Sequence, residues 1–162
     1  MPKILKIIKN PDPVLRRISK NIDEKIIKTN EFKKFCADMS ETLLKKDGVG
    51  LAAPQVGKNI RMFVINTKDG VQCFINPKII KKSILKEWSE EGCLSIPFTF
   101  GKLKRHKKVV CECLDENGEK TTIEANGLMA IAIQHENDHL DGILFIDKAK
   151  EIKKEYPEDA KN

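Results

Sequence analysis

Six apolar residues, Leu128 to Ile133, are followed almost at once by His135-Glu136-Asn137-Asp138-His139, and this stretch constrains the chain more than any other. A helix apolar on all sides belongs in an interior. An interior that accepts two imidazoles and a carboxylate must give those polar groups partners. Histidines four apart share one helical face, so both rings can point at a single cation. Glu136, between them, can reach a metal-bound water without being a ligand itself. Gly142 suits the left-handed residue that stops a helix. The pattern His-Glu-x-x-His fixes only three positions and arises by chance in roughly one chain of this length in a few hundred. Here two of the chain's three histidines occupy it, at the end of a buried helix, and that favours a metal site over packing.

A catalytic metal site usually takes three protein ligands and keeps one position open. No histidine follows His139, and Phe145 stands where one zinc-peptidase pattern requires a third. A second peptidase pattern takes a glutamate from a later helix, but Glu151, Glu155 and Glu158 lie in a short polar tail. That leaves the cysteines, among which Cys93, in Glu91-Gly92-Cys93-Leu94-Ser95, stands out. Five cysteines without paired spacing argue for free thiols in a reducing, cytoplasmic setting. At 162 residues the chain is read as one domain, 1–162, with residues 148–162 as a short polar tail. The net charge of +6 fits work near RNA or ribosomes, although a lysine-rich solvated surface is the commoner cause. Lysines interrupt the apolar start, Met1 to Lys9, so it is read as neither a signal peptide nor a transit peptide. No stretch is long enough to span a membrane.

Along the chain, Asn10-Pro11-Asp12-Pro13 predicts an extended entry and one helical turn. Phe32, Phe35, Cys36, Met39, Leu43 and Leu44 fall at helical spacing and predict an amphipathic helix over 30–47, capped by Thr29 or Asn30 and closed by Gly48. Gly48-Val49-Gly50-Leu51-Ala52-Ala53-Pro54-Gln55 lets backbone approach something closely. Strands are expected over 61–66, 72–76 and 78–86, and a hairpin over 107–114 and 120–125 turns at Asn117-Gly118. Cys111 and Cys113 face one side of that hairpin as packing residues, and Cys36 is core. The basic run Lys102 to Lys108 reads as a solvated loop or edge strand, and the residues after Ile146 as a short surface helix that frays.

Three motifs in order, Gly-Val-Gly-Leu-Ala-Ala-Pro-Gln at 48–55, Glu-Gly-Cys-Leu-Ser at 91–95 and Gln-His-Glu-Asn-Asp-His-Leu-Asp-Gly at 134–142, resemble the peptide deformylases, as does the opening Ile-Ile-Lys-Asn-Pro-Asp-Pro-Val-Leu-Arg. The resemblance runs to about residue 148. It implies an α+β fold, with antiparallel β-sheets around a central buried helix carrying the His-Glu-x-x-His motif. It implies one metal per chain on Cys93, His135 and His139, Fe(II) being the expected native ion and Zn(II) or Ni(II) its substitutes. Thiolate and imidazole suit those ions and not magnesium or calcium. The implied reaction is removal of the formyl group from the N-terminal formyl-methionine of nascent polypeptides, releasing formate. Metal-bound hydroxide attacks, Glu136 serves as general acid and base, and Gln55 with the Leu94 backbone N–H receives the developing oxyanion. Val49, Gly50, Leu94, Leu128, Ile131 and His135 line the methionine pocket. The implied partners are N-formylmethionyl peptides, with transient ribosome association, no sequence-specific nucleic acid, no membrane, and a monomeric enzyme.

Around this set, Glu91 is expected to pair with Arg105, and Asp138 or a backbone carbonyl to orient a histidine ring. The chain departs from the pattern at Phe98-Thr99-Phe100, where the family often carries an arginine on the substrate rim. Two other readings stand beside this one: a different metal-dependent amide hydrolase or peptidase, and a basic RNA-binding module with a structural metal. The first lacks its third histidine or helical glutamate. The second needs four ligands where three are convincing.

Overall fold

A computed structural model of the chain describes residues 1–157. The fold is α+β. Its larger sheet holds β1 (Gly50–Ala52), β2 (Met62–Thr67), β3 (Gly70–Lys82), β6 (Lys108–Leu114) and β7 (Lys120–Asn126), in the order β1-β2-β3-β6-β7. A smaller sheet holds β4 (Lys86–Cys93), β5 (Ile96–His106) and β8 (Lys150–Lys154), with β5 in the middle. All neighbouring strands are antiparallel. The helices are α1 (Glu24–Ile27), α2 (Asn30–Lys45), α3 (Gly127–Leu140) and α4 (Phe145–Lys148), and 3₁₀ turns lie before α1 at Pro13–Arg16 and after β1 at Ala53–Val56.

The larger sheet is buried on both faces at β2, which is why that strand reads Met-Phe-Val-Ile without polar interruption. Side chains alternate across a strand. Met62 and Val64 therefore meet α2 through Phe32, Cys36, Met39 and Leu43. Phe63 and Ile65 turn the other way, into a cluster with Phe74, Cys111, Cys113 and Ala130, Ala132 and Ile133 of α3. Each large apolar side chain so buried contributes roughly 1.5–3 kcal/mol. A third cluster, Leu15, Ile96, Leu103, Leu144 and Phe145, ties the smaller sheet to α4 and the Pro13–Arg16 turn. Thr29 caps α2, its hydroxyl accepting from Phe32 N at 3.2 Å.

Four expectations change. The two strands foreseen over 72–86 are one, because the chain bulges at Asn76 (φ 49°) instead of breaking at Pro77. The Asn76 amide pins that bulge to Ile22, accepting from its N–H and donating to its carbonyl, both at 2.8 Å. Asp47 (φ 54°), not Gly48, takes the left-handed position after α2. Gly48 answers a packing need: a Cβ there would lie 2.9 Å from Leu43 Cδ1. The tail residues Lys150–Lys154 form strand β8 rather than a helix, and they pair with β5 only over Thr99 to Lys102, so the basic run past Lys102 has β4 alone as a neighbour and is the expected edge. Leu128, in the first turn of α3, is 68% exposed, so that helix is not buried on every side.

Candidate active site

Helix α3 brings its last two turns beneath the junction of the two sheets. Cys93, at the end of β4, faces His135 and His139 there, and the three donor atoms all lie within 4.8 Å of one another. Cys93 Sγ is 3.4 Å from His139 Nε2. That spacing suits one ion with bonds of about 2.0–2.3 Å to nitrogen and sulfur. The electrostatics favour a cation too. Burial opposes a proton on His135, but Cys93 and Glu91 outweigh it and push its pKa up to about 10. A metal ion on the same donors would supply the positive charge that these neighbours stabilise. His139 is held well below its ordinary pKa by burial and by the charges of His135 and Arg105, so it is neutral and ready to ligate.

Glu136 is buried, with its Oε1 4.0 Å from His135 Nε2 and its Oε2 without a hydrogen-bond partner among the described residues. Burial pushes its carboxyl up to about 7, against the opposing pull of His135. A carboxyl near neutrality can both take and return a proton at physiological pH. Gly50 makes room for it, since a Cβ there would stand 2.7 Å from Glu136 Oε1. This close approach explains the glycine, whose backbone is ordinary strand.

Gln55 sits in the 3₁₀ turn after β1. Its Oε1 accepts from Ala52 N at 2.9 Å, which aims Nε2 at Ser95 Oγ (3.0 Å) and Cys93 Sγ (3.4 Å). The amide is therefore oriented, with one N–H directed toward the donor cluster. Leu94 follows Cys93 directly. A cleft of about 530 Å³ opens above this group. Val49, Gly50, Gln55, Cys93, Leu94, Leu128, Ile131, His135 and Glu136 all line it, as do Phe98 and Phe100. β1 forms one wall and is an edge strand of its sheet.

A buried ionic network lies behind His135. Arg105 donates to both oxygens of Glu91 (2.9 and 2.8 Å) and to Asp138 (2.7 Å). Glu91 also meets His135 Nδ1 at 2.8 Å and accepts from Ser89 Oγ. Burial would raise the Glu91 carboxyl, but the Arg105 fork, His135 and Ser89 bring it down to about 2. The expected Glu91–Arg105 pair is present. The expected orienting role of Asp138 is not: Asp138 pairs with Arg105 and Lys148, and Glu91 holds the histidine ring. His139 Nδ1 has no partner among the described residues.

Sequence reasoning overlooked the hold of Ser95 on Gln55 and the contact of Glu91 with His135. Period-two alternation along Ser89-Glu90-Glu91 was the available signal. Once β4 is recognised as a strand, Ser89 and Glu91 share a face.

Residues 4–155 match the family model described as polypeptide deformylase. The chain is similar to the peptide deformylase of Psychrobacter cryohalolentis, with 43% identity over 93% of this chain and 82% of the relative. It is 47% identical to that of Acetivibrio thermocellus over 85% of this chain and 78% of the relative. Among solved structures, the Thermotoga maritima peptide deformylase superposes with a TM-score of 0.86 at 39% identity, covering 91% of this chain and 98% of that one. A class I type b peptide deformylase from Acinetobacter baumannii, bound to Met-Ala-Ser, superposes with a TM-score of 0.87 at 30% identity, covering 91% and 99%.

Proposed function

The chain belongs to the polypeptide deformylase family, whose members remove the formyl group from nascent polypeptides, and from that premise we propose how its own residues carry out the reaction. The convergence of Cys93, His135 and His139 within 4.8 Å, with Glu136 beside them, carries the reading. These three side chains hold one divalent metal. Family resemblance favours Fe(II) as the native ion, with Zn(II) or Ni(II) as substitutes, and thiolate with imidazole suits all three and not magnesium or calcium. When bound, such an ion lowers the pKa of water and polarises a carbonyl.

The protein's own share follows from its placement. Glu136, raised toward neutrality by burial, takes the proton of the attacking water and returns it to the leaving amine. The Gln55 amide, fixed by Ala52 N and Ser95, donates to the oxyanion together with the Leu94 backbone N–H. Gln55 Nε2 already lies 3.4 Å from Cys93 Sγ, a weak contact that a carbonyl oxygen can replace. The methionine side chain fills the pocket of Val49, Gly50, Leu94, Leu128, Ile131 and His135. The peptide backbone lies along the edge of β1 as an added strand. The Met-Ala-Ser ligand of the Acinetobacter baumannii relative supports a peptide in the corresponding cleft.

Among the described residues no helix is long and apolar enough to cross a membrane. The enzyme works as a cytoplasmic monomer on formyl-methionyl chains, with transient ribosome association and no sequence-specific nucleic acid. Free cysteines and the net charge of +6 support that setting. The test is formate release from formyl-Met-Ala-Ser by anaerobically prepared protein, with metal quantified in the same sample. About one iron or zinc per chain with turnover supports the assignment. A metal-loaded protein that releases no formate refutes it.

A further inference from the structure

The rim of the cleft carries an aromatic residue in a conformation that its own backbone resists. Phe98, 41% exposed and lining the cleft, has φ 60°, in the left-handed region that L side chains avoid. Such a residue persists only when its surroundings over-determine it, and here the C-terminal strand does so. β8 pairs with β5 at Thr99↔Lys154 and Phe100↔Lys153, immediately beside it. Glu155 N donates to Phe98 O at 2.8 Å. Tyr156 then lays its ring against Phe98, with centroids 5.5 Å apart and planes at 41°. The strand is seated further along by Gly101, where a Cβ would stand 2.7 Å from Ala149 Cβ. Tyr156 is not itself among the residues that line the cleft.

We propose that Tyr156 is a positioning residue for the substrate peptide: through its ring contact, and with the Glu155 hydrogen bond, it fixes Phe98 as an apolar wall for residues that follow the formyl-methionine. This inference rests on the deformylase reading. The wall lies beyond the donor cluster: Phe98 is five residues past Cys93, while Glu136 and Gln55 approach from α3 and from the turn after β1. Tyr156 therefore affects the capture of extended peptides and leaves bond cleavage alone.

The experiment compares formyl-Met-Ala-Ser with formyl-methionine amide, which ends before the wall, using iron- or zinc-loaded full-length protein. An aromatic pair of this kind corresponds to roughly a 2- to 12-fold change in binding. Tyr156→Ala is expected to raise KM for the tripeptide by that factor with kcat little changed, and to leave KM for the amide as in wild type. Tyr156→Phe keeps the ring and restores the tripeptide KM. An unchanged tripeptide KM in Tyr156→Ala, or an equal rise for both substrates, overturns the proposal. If Tyr156→Ala does not fold, Tyr156→Leu carries the same comparison with the same two outcomes. Wild-type protein that releases formate from neither substrate would instead sink the deformylase reading, a result distinct from a failed positioning role.

Discussion

Arg105→Met probes the least replaceable contact behind the metal donors. Methionine keeps the length of the apolar stem, so the change mainly removes a charge. That charge is 3% exposed and serves two carboxylates, Glu91 through a two-pronged contact and Asp138 through one bond at 2.7 Å. Removing one partner of a buried ion pair costs about 3–5 kcal/mol, because the other charge is left behind without compensation. For a domain of this size that corresponds to a fall in Tm of roughly 6–20 °C. Glu91 then holds His135 less firmly, and loss of such an orienting contact typically weakens metal binding about 10- to 100-fold. The pH dependence gives an independent check, with both proteins stripped of metal by chelator. Glu91 sits at about 2 instead of its ordinary 4.5, so its stabilising contribution is present above pH 4.5 and is lost as pH falls toward 2. The gap amounts to about 3 kcal/mol at full size. Without Arg105 the strongest partner opposing burial is gone and the Glu91 carboxyl rises, so that contribution shrinks. The stability difference between variant and wild type, measured by urea unfolding, is therefore expected to be largest near pH 7 and to shrink below pH 4.5. A difference under about 1 kcal/mol that does not vary with pH, with unchanged metal affinity, would refute the account of this network.

Four other outcomes are expected. Glu136→Ala should retain metal within about threefold while turnover drops at least about 100-fold, since proton transfer is worth that much; metal analysis and formate release on the same sample decide it. Gln55→Ala should cost about 100- to 1,000-fold in kcat, the usual toll for one oxyanion donor, with a smaller effect on KM. Gly50→Ala places a methyl 2.7 Å from Glu136 Oε1, so the carboxylate must move; activity is expected to fall by about 100-fold with metal content intact. Gly142→Ala forces a left-handed alanine (φ 71°) whose Cβ would stand 2.4 Å from Arg16 O, and a clear fall in Tm with normal kcat in the folded fraction is the expected reading.

The helix expected over 30–47 was legible from its apolar period and Thr29 cap, though its stop fell at Asp47 and not Gly48, and the donor helix from its unbroken apolar run and Gly142. The hairpin at Asn117-Gly118 was legible from its turn residues, and Gly118 takes φ 80° as such a turn requires. The third side chain beside the two histidines was less legible: elimination left the cysteines, of which Cys36, Cys111 and Cys113 read as packing, and the resemblance then assigned Cys93 to the metal. The orienting partner was misjudged for a reason of distance. Asp138 is adjacent in sequence to His139, but on a helix it points to Arg105 and Lys148. Glu91 is 44 residues from His135 and reaches it only because β4 runs over the end of α3.

The C-terminal strand was illegible for a deeper reason. Lys150-Glu151-Ile152-Lys153-Lys154 has neither the β-branched content nor the alternation that marks a strand, and every residue in it is exposed. Its conformation comes from its partner. β5 offers a row of unpaired backbone groups on the side away from β4, and a polar segment arriving from α4 satisfies them with main-chain hydrogen bonds that need no particular side chains. Within the lysine-rich run only Lys102 gains a β8 partner, and Leu103 to His106 keep β4 alone, the edge the sequence predicts. A strand held chiefly by backbone pairing opens at low cost, and Phe98 keeps its left-handed conformation beside that pairing. Fraying of β8 should therefore release the rim before it disturbs α3. Amide exchange in residues 150–155, including the Glu155 N–H held by Phe98 O, is expected to be faster than in 127–140. Equal protection of both segments would mean that the smaller sheet and the donor helix open as a single unit.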